Sequence, residues 1–160
     1  MADPTLQQLL REPRMLLAFG FGSGLSPVVP GTMGTLVGLP AIWLLALLPL
    51  PITLIVITLA AILGVYLCEY SSRQLGVHDH KGIVWDEFVG VWITFLAVPL
   101  TWPAVVAGFV IFRFFDMVKP WPICVADRKV HGGFGIMFDD LLAGLAALGT
   151  MQTLIYFSIL

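Results

Sequence analysis

Charged residues are confined to three windows of this 160-residue chain, and long uncharged stretches separate them. The windows cover residues 3–14, 69–87 and 113–140, and the uncharged stretches between and after them contain 54, 25 and 20 residues. A helix needs roughly 20 consecutive apolar residues to cross a bilayer. With 59% hydrophobic and only 11% charged residues, the chain therefore has the composition of an integral membrane protein and not of a soluble domain.

The spacing predicts an all-α fold, a polytopic helical membrane bundle of about four to five membrane segments that forms a single domain over residues 1–160. The 54-residue stretch holds two spans, residues 36–47 and 52–67, with a break at the "LPLPI" turn. The prolines and the tryptophan of "VPLTWP", residues 98–103, predict a helical hairpin in the 25-residue stretch. The last 20 residues predict a final span.

All three charged windows then lie on one face of the membrane, together with every Lys and Arg. The positive-inside rule makes that face cytoplasmic. Residues 1–14 place Leu6, Leu9 and Leu10 on one helical side, which predicts a short helix lying at the interface. The net charge of −2 gives no argument for a nucleic-acid partner, and the oligomeric state stays open.

The stretch "GFGSGLSPVVPGTMGT", residues 20–35, combines glycines, prolines and hydroxyl residues. It predicts a broken or re-entrant element near the N-terminus. Glycine lets backbone N–H groups turn toward an anion, and a helix that starts after Gly34 would add a positive dipole end, so the stretch is a candidate phosphate site. A Gly-rich packing break between membrane helices explains the same composition, and both interpretations stay open.

Five acids from three separate stretches are expected at one depth near the cytoplasmic face. They are Asp86 and Glu87 in "GVHDHKGIVWDEFVG", Asp116 in "FRFFDMVKPWPI", and Asp139 and Asp140 in "HGGFGIMFDD". Carboxylates that cluster in a region of low dielectric require a cation. Oxygen ligands without thiolates suit Mg²⁺. For the last pair, acids at the start of the final helix also favour the helix dipole.

Basic and histidine side chains accompany these acids. Arg113, Asp116 and Lys119 recur every three residues, so they lie on one helix face before Pro120 ends the helix. The two cations predict binding of an anionic substrate, and a salt-bridged helix end that snorkels to the interface is the alternative. The histidines of "GVHDHKG" predict metal ligation or proton transfer, against the alternative of a solvated loop.

Four stretches resemble the phosphatidylglycerophosphatase A family, small bacterial lipid phosphatases of the inner membrane, and the likeness runs from about residue 17 to 144. "VPGTMGT", "GVHDHKGIVWDEFVG", "FRFFDMVKPWPI" and "HGGFGIMFDDLLAG" occur in the order that the family shows. The resemblance implies Mg²⁺-dependent hydrolysis of phosphatidylglycerophosphate, a phospholipid held in the bilayer, to phosphatidylglycerol and inorganic phosphate.

On this hypothesis the five acids hold one or two Mg²⁺ ions that activate the attacking water. Six residues are expected to bind the phosphate or the headgroup: Thr32, Gly34, Thr35, His78, Arg113 and Lys119. His80 is the expected proton donor to the leaving glycerol oxygen, with His78 as the alternative.

Other chemistries fit the sequence less well. A cysteine phosphatase needs C-x5-R, but Cys68 and Cys124 are followed by arginines at C-x4-R and C-x3-R, and the D-x-D signature of aspartyl-phosphate enzymes is absent. A small transporter or ion channel with a rim carboxylate site is the main alternative function. Against it, every ionisable group lies on one predicted face. A scaffold in a lipid-synthesis complex gives no reason to cluster five acids.

Overall fold

A computed structural model describes residues 4–160, and within that range it contains helices, turns and loops without strands. The α-helices of the described range are α1 Leu6–Arg11, α2 Pro13–Ala18, α3 Pro30–Gly38, α4 Ala41–Ala46, α5 Leu50–Leu75, α6 Trp85–Thr94, α7 Trp102–Val118, α8 Ile123–Lys129 and α9 Gly132–Tyr156. A 3₁₀ segment, Gly20–Leu25, lies between α2 and α3. The all-α fold class and the break in the Gly-rich stretch are confirmed.

Two helices in the described range, α5 and α9, are long and apolar enough to cross a membrane. They contain 26 and 25 residues, so at about 1.5 Å per residue each exceeds a hydrocarbon core of roughly 30 Å. Helices α7 and α6 have 17 and 10 residues and are shorter. The expected count of four to five membrane segments is therefore not confirmed.

The expected span at residues 36–47 is divided in two. Helix α3 ends at Gly38 and α4 begins at Ala41, because Pro40 has no N–H group and its ring clashes with the preceding turn of a helix. The Gly38 carbonyl instead accepts a hydrogen bond from Trp92 Nε1 at 2.8 Å. A side chain of α6 therefore stabilises the break, and α3 packs against α6 as a short, separate helix.

The two proline-containing turns form where the sequence predicts them. A gap between α4 and α5 matches the "LPLPI" turn, and α5 then continues to Leu75, beyond the expected end at residue 67. The hairpin at "VPLTWP" separates α6 from α7. Thr101 Oγ1 accepts from Ala104 N at 3.4 Å and Pro103 occupies the first turn of α7, both ordinary signals of a helix start.

Helix α6 occupies the centre of the bundle and contacts α3, α5, α7 and α9. Every residue of α6 except Trp92 is buried. Gly90 and Gly144 face each other, so a Cβ at Gly144 would lie 2.5 Å from the Gly90 carbonyl oxygen. The small residues let α6 and α9 approach closely. The first turn of α6 is thereby enclosed by helices on several sides.

Helix α9 begins at Gly132, seven residues before Asp139, so the expectation that the two acids open the last helix is wrong. Gly132 N donates to His78 Nε2 at 2.8 Å, and Gly133 N donates to Glu69 Oε2 at 2.7 Å. These distant acceptors satisfy the first turn of a glycine-rich helix start. Because both acids lie in the helix interior, the helix dipole does not explain them.

Helix α1 lies within the expected interfacial segment, residues 1–14, of which residues 1–3 fall outside the described range. Leu9 is buried, whereas Leu6 and Leu10 are exposed. The exposed leucines are compatible with contact to lipid, and the interfacial position stays a prediction.

Candidate active site

A cavity of about 270 Å³ lies at the start of α6. Its walls come from the start of α3, the loop before α6, the first turn of α6, the end of α7 and the third turn of α9. The ionisable residues that line it are Asp79, Lys81, Asp86, Glu87, Arg113, Asp116, Lys119, Asp139 and Asp140. All five acids expected from the sequence, and both expected basic residues, therefore meet in one place.

Two glycines of α3 make room for the Glu87 side chain. A Cβ at Gly34 would lie 2.6 Å from Glu87 Oε2, and a Cβ at Gly31 would overlap Glu87 Oε1. Neighbouring helical residues point about 100° apart, yet both Asp86 and Glu87 line the cavity. The close approach of α3 is what brings Glu87 into the same site as its neighbour.

Arg113 connects three elements of the site. Its Nη1 lies 3.2 Å from Glu87 Oε1 and 2.5 Å from Asp116 Oδ2, and it donates to Thr35 Oγ1 at 3.3 Å. Thr35 Oγ1 in turn donates to the Gly31 carbonyl at 3.0 Å. The i,i+3 pair predicted on α7 is present, and Thr35 acts through its hydroxyl as a support for Arg113.

Lys119 joins α7, α8 and α9. It follows the last residue of α7 with φ of 45°, outside helical geometry, and its Nζ lies 2.5 Å from both Asp127 Oδ1 and Asp139 Oδ2. Burial favours the neutral amine, but the hydrogen bonds to the two carboxylates outweigh it and raise the pKa of Lys119 above its usual value. Lys119 is therefore a fixed cation at the cavity wall.

Four carboxylates of the site are buried: Asp86, Glu87, Asp139 and Asp140 are 9%, 9%, 6% and 3% exposed. Within the described residues, each has one buried oxygen without a hydrogen-bond partner: Asp86 Oδ1, Glu87 Oε2, Asp139 Oδ1 and Asp140 Oδ2. Buried polar atoms are nearly always paired in folded proteins. Unpaired carboxylate oxygens that converge on one cavity therefore indicate a missing positive partner.

The donor set can be tested against a metal ion. Among residues 4–160, no three His, Cys, Asp or Glu side chains form a ready-made metal site. Arg113 and Lys119 pair with the other oxygens of Glu87 and Asp139. The unpaired oxygens that remain are hard, anionic donors. In chemistry they fit a hard divalent cation such as Mg²⁺ and not a thiophilic metal.

The two expected histidines do not line the cavity. His78 Nε2 accepts from Gly132 N, and its ring lies edge-on to His131 with centroids 5.4 Å apart. His80 Nδ1 accepts from Gly82 N at 3.1 Å. Their expected roles in headgroup binding and proton transfer stay predictions that this geometry does not support.

The structure changes which backbone amides of the Gly-rich stretch are candidates for the predicted phosphate site. Helix α3 begins at Pro30, so the expectation of a helix that starts after Gly34 is wrong. The amides of Gly34 and Thr35 fall in the second turn, where helical carbonyls satisfy them. The first-turn amides of Gly31 and Thr32 are the ones that a helix leaves without an internal acceptor, and Gly31 lines the cavity.

Asp79 and Lys81 line the cavity but are absent from the expected site residues. Both belong to the loop between α5 and α6. Burial raises the pKa of Asp79 above its usual value, and the charge of Lys119 opposes the shift. The one feature of the sequence that could identify them as site residues is their charge within the "GVHDHKG" stretch. Histidines and charged residues alternate there, so the pattern does not favour the histidines over Asp79 and Lys81 as site residues.

The fold and the cavity together define an all-helical protein with two membrane-length helices and an internal cavity lined by both acidic and basic side chains. The family model for phosphatidylglycerophosphatase A matches residues 16–155. The chain belongs to this family of lipid phosphatases.

Curated relatives agree with the family model. The chain is 54% identical over 143 residues to phosphatidylglycerophosphatase A of Escherichia coli strain K12, covering 89% of this chain and 83% of that protein. It is 50% identical over 147 residues to phosphatidylglycerophosphatase A of Haemophilus influenzae, covering 91% and 90%. A Bacteroides thetaiotaomicron protein, 40% identical over 144 residues with coverage of 82% and 86%, is provisionally named a phosphatidylinositol-3-phosphatase. No solved structure matches the chain.

Proposed function

We propose that this protein removes the terminal phosphate of phosphatidylglycerophosphate, giving phosphatidylglycerol and inorganic phosphate, in a Mg²⁺-dependent reaction. The observation that carries the proposal is the set of four unpaired carboxylate oxygens that share one cavity with Arg113 and Lys119. The names of the two relatives with the highest identities support the substrate. A phosphomonoester needs both positive charge around its oxygens and an activated water.

The acids that hold Mg²⁺ in this proposal are Asp86, Glu87, Asp139 and Asp140, because each keeps a free oxygen. Asp116 contributes through Arg113, to which it is paired, and its direct ligation stays a prediction. When bound, Mg²⁺ supplies positive charge that polarises a phosphoryl oxygen and lowers the pKa of water. The unpaired carboxylate oxygens are also the groups able to accept the proton of the attacking water.

Basic groups on two walls bind the phosphate. Arg113 is held by Glu87, Asp116 and Thr35, so its guanidinium is oriented before substrate arrives. Lys119 is held in the same way by two carboxylates. Charge-assisted hydrogen bonds from such fixed donors are stronger than those between neutral groups. The first-turn N–H groups of α3 also favour an anion, because they are donors at the positive end of the helix dipole.

We also propose that the protein crosses the bacterial inner membrane several times, with the cavity at the cytoplasmic face. Helix directions support it, because α5 and α7 end, and α6 and α9 begin, at the end of the bundle that contains the cavity and the basic residues. Helix α7 adds a third crossing candidate, since Trp102 at its start and Trp121, three residues beyond its end, are 76% and 81% exposed. Exposed tryptophans are typical of membrane interfaces.

The test is phosphate release by the purified protein in detergent from phosphatidylglycerophosphate, measured with Mg²⁺ and with EDTA. Phosphatidic acid and phosphatidylinositol 3-phosphate serve as competing lipid phosphomonoesters. We expect release that requires Mg²⁺, with phosphatidylglycerol as the lipid product. A folded protein that releases no phosphate with any divalent cation contradicts the proposal, and ion flux in liposomes would then test the transporter alternative.

A further inference from the structure

His78 makes contacts that its position outside the cavity does not predict. Its Nε2 accepts from Gly132 N at 2.8 Å, and its backbone carbonyl accepts from Ser72 Oγ at 2.6 Å. Gly132 is the first residue of α9 and Ser72 lies in the last turn of α5. His78 therefore ties the loop at residues 76–84 to two membrane-length helices at once.

The same loop forms a wall of the cavity. Asp79, the next residue after His78, and Lys81 both line it. The donor of the hydrogen bond, Gly132, begins α9. Asp139 follows seven residues later in the same helix, about 10 Å along its axis. The His78–Gly132 hydrogen bond thus connects the loop that contains Asp79 and Lys81 to the helix that contains Asp139 and Asp140.

The hydrogen-bond chemistry gives the ring a definite role. A backbone N–H only donates, so His78 Nε2 must offer a lone pair and cannot carry a proton while this bond exists. Glu69 Oε2 accepts from the next amide, Gly133 N, at 2.7 Å. The N-cap residue that precedes the helix, His131, makes no side-chain cap hydrogen bond. Acceptors from α5 and the loop therefore replace the missing cap.

We propose that His78 is a positioning residue: its hydrogen bond to Gly132 holds the loop at residues 76–84 against α9 and keeps the cavity wall in place. This inference rests on the proposed phosphatase function for its kinetic consequence, while the contact itself is independent of that function. His78 neither binds the phosphate nor donates a proton to the leaving group. A small displacement of a cavity wall that orients charged groups should lower kcat more than it weakens substrate binding.

Three substitutions separate positioning from acid–base catalysis. The amide oxygen of Gln reaches as far along the side chain as Nε2, whereas that of Asn lies near Nδ1, and Leu accepts no hydrogen bond. We expect His78→Leu and His78→Asn to lower kcat about tenfold with little change in KM, because they lose one oriented hydrogen bond. His78→Gln should stay within about twofold of the wild type.

His131→Leu is the matched control, because its ring touches His78 but is exposed and makes no hydrogen bond to α9. It should leave kcat unchanged, and thermal unfolding in detergent checks that all variants are folded. If His78→Gln is as impaired as His78→Leu, the imidazole itself is required and positioning is overturned. A fully active His78→Leu overturns it as well.

Hydrogen–deuterium exchange keeps the test independent of activity. His78→Leu should speed exchange in a peptide that spans the first turn of α9, and His78→Gln should keep the wild-type protection. If the wild type releases no phosphate, the proposed function fails, yet this exchange pattern still supports the positioning contact. Equal protection in both variants overturns the positioning role whatever the enzyme assay gives.

Discussion

The two ends of α6 each adjoin a cavity of similar size but opposite chemistry. The site cavity, about 270 Å³, is lined by nine ionisable residues, and four of their carboxylate oxygens have no partner in the described range. The far pocket, about 240 Å³, is lined by apolar residues of α4, α5 and α6, by the loop after α6 and by Thr53. Size alone therefore does not separate a functional cavity from a gap between helices.

Hydrogen bonding does separate them. In the far pocket, Thr53 Oγ1 donates to the Leu45 carbonyl at 3.2 Å. Gln152 Nε2 donates to the carbonyls of Leu96 at 3.1 Å and Ala97 at 3.2 Å. The Thr53 hydroxyl and the Leu96 and Ala97 carbonyls, which belong to residues lining the far pocket, are therefore paired, as buried polar groups without a ligand should be. At the site, four carboxylate oxygens of the described range have no hydrogen-bond partner, at a cost in stability, which supports the proposed binding of a cation.

The largest effect that tests this contrast is the loss of an unpaired acid. Asp86→Asn and Asp140→Asn should each lower kcat by about 100-fold or more, because a neutral amide no longer stabilises a cation at the reacting phosphate. The thermal midpoint should hold or rise, since one of several buried like charges is removed. Phosphate release and thermal unfolding in detergent measure the two effects. Activity within about threefold of wild type in either variant would exclude that acid from the site's chemistry.

Removal of the cation at the wall should have the next largest effect. Lys119→Met breaks the ion pairs to Asp127 and Asp139, and we expect kcat/KM to fall about 10- to 100-fold because a fixed charge-assisted donor is lost. Lys129→Met, at an exposed position in the last turn of α8, is the control and should change kcat/KM little. Equal losses in the two variants would mean that general surface charge, and not the Lys119 geometry, is responsible.

A glycine substitution tests the packing behind Glu87. Gly34→Ala puts a Cβ 2.6 Å from Glu87 Oε2 and 2.5 Å from the Val84 Cβ. We expect about 1–3 kcal/mol of destabilisation from overpacking, and a kcat lowered about tenfold as Glu87 shifts. Gly149→Ala in α9 meets nothing within 4 Å and should instead stabilise by up to about 1 kcal/mol through helix propensity. A Gly34→Ala enzyme with normal kcat would show that Glu87 tolerates displacement.

The smallest effect on activity belongs to the far pocket. Thr53→Val keeps the side-chain shape and removes the hydroxyl that bonds to the Leu45 carbonyl. We expect a loss of about 1 kcal/mol in the free energy of unfolding and an unchanged kcat. A clear fall in kcat here would show that the two ends of α6 are coupled, which would break the contrast between the cavities.

Proline-based predictions succeeded because proline acts locally. The breaks at "LPLPI" and "VPLTWP" follow from a missing N–H and a fixed φ, which depend on no distant residue. The end of α7 before Pro120 has the same origin. The start of α9 was misplaced by seven residues, because its glycine-rich first turn depends on acceptors from Glu69 and His78. No local pattern contains that information.

The residues of the candidate site also fall into those that the sequence predicts and those that it does not. The five acids, Arg113 and Lys119 were predictable, since charge inside a membrane-type chain is costly and tends to be functional. The roles of the histidines were not, because a histidine in a loop is described equally well as a proton donor, a metal ligand or a hydrogen-bond acceptor. Asp79 and Lys81 are not predicted, since the sequence does not state which loop charges turn toward the cavity. Asp127 of α8 is not predicted as the partner of Lys119 either.

The sequence by itself determined the class of the protein, because the segregation of charge from long apolar stretches leaves only helical membrane-type folds. It also determined which acids and bases were available and near which end of the helices they lie. Only the tertiary structure decided which oxygens are paired. Arg113 meets Thr35 and His78 meets Gly132 across 78 and 54 residues of chain. Contacts at that separation arise from how helices pack, and packing is not encoded in any local stretch.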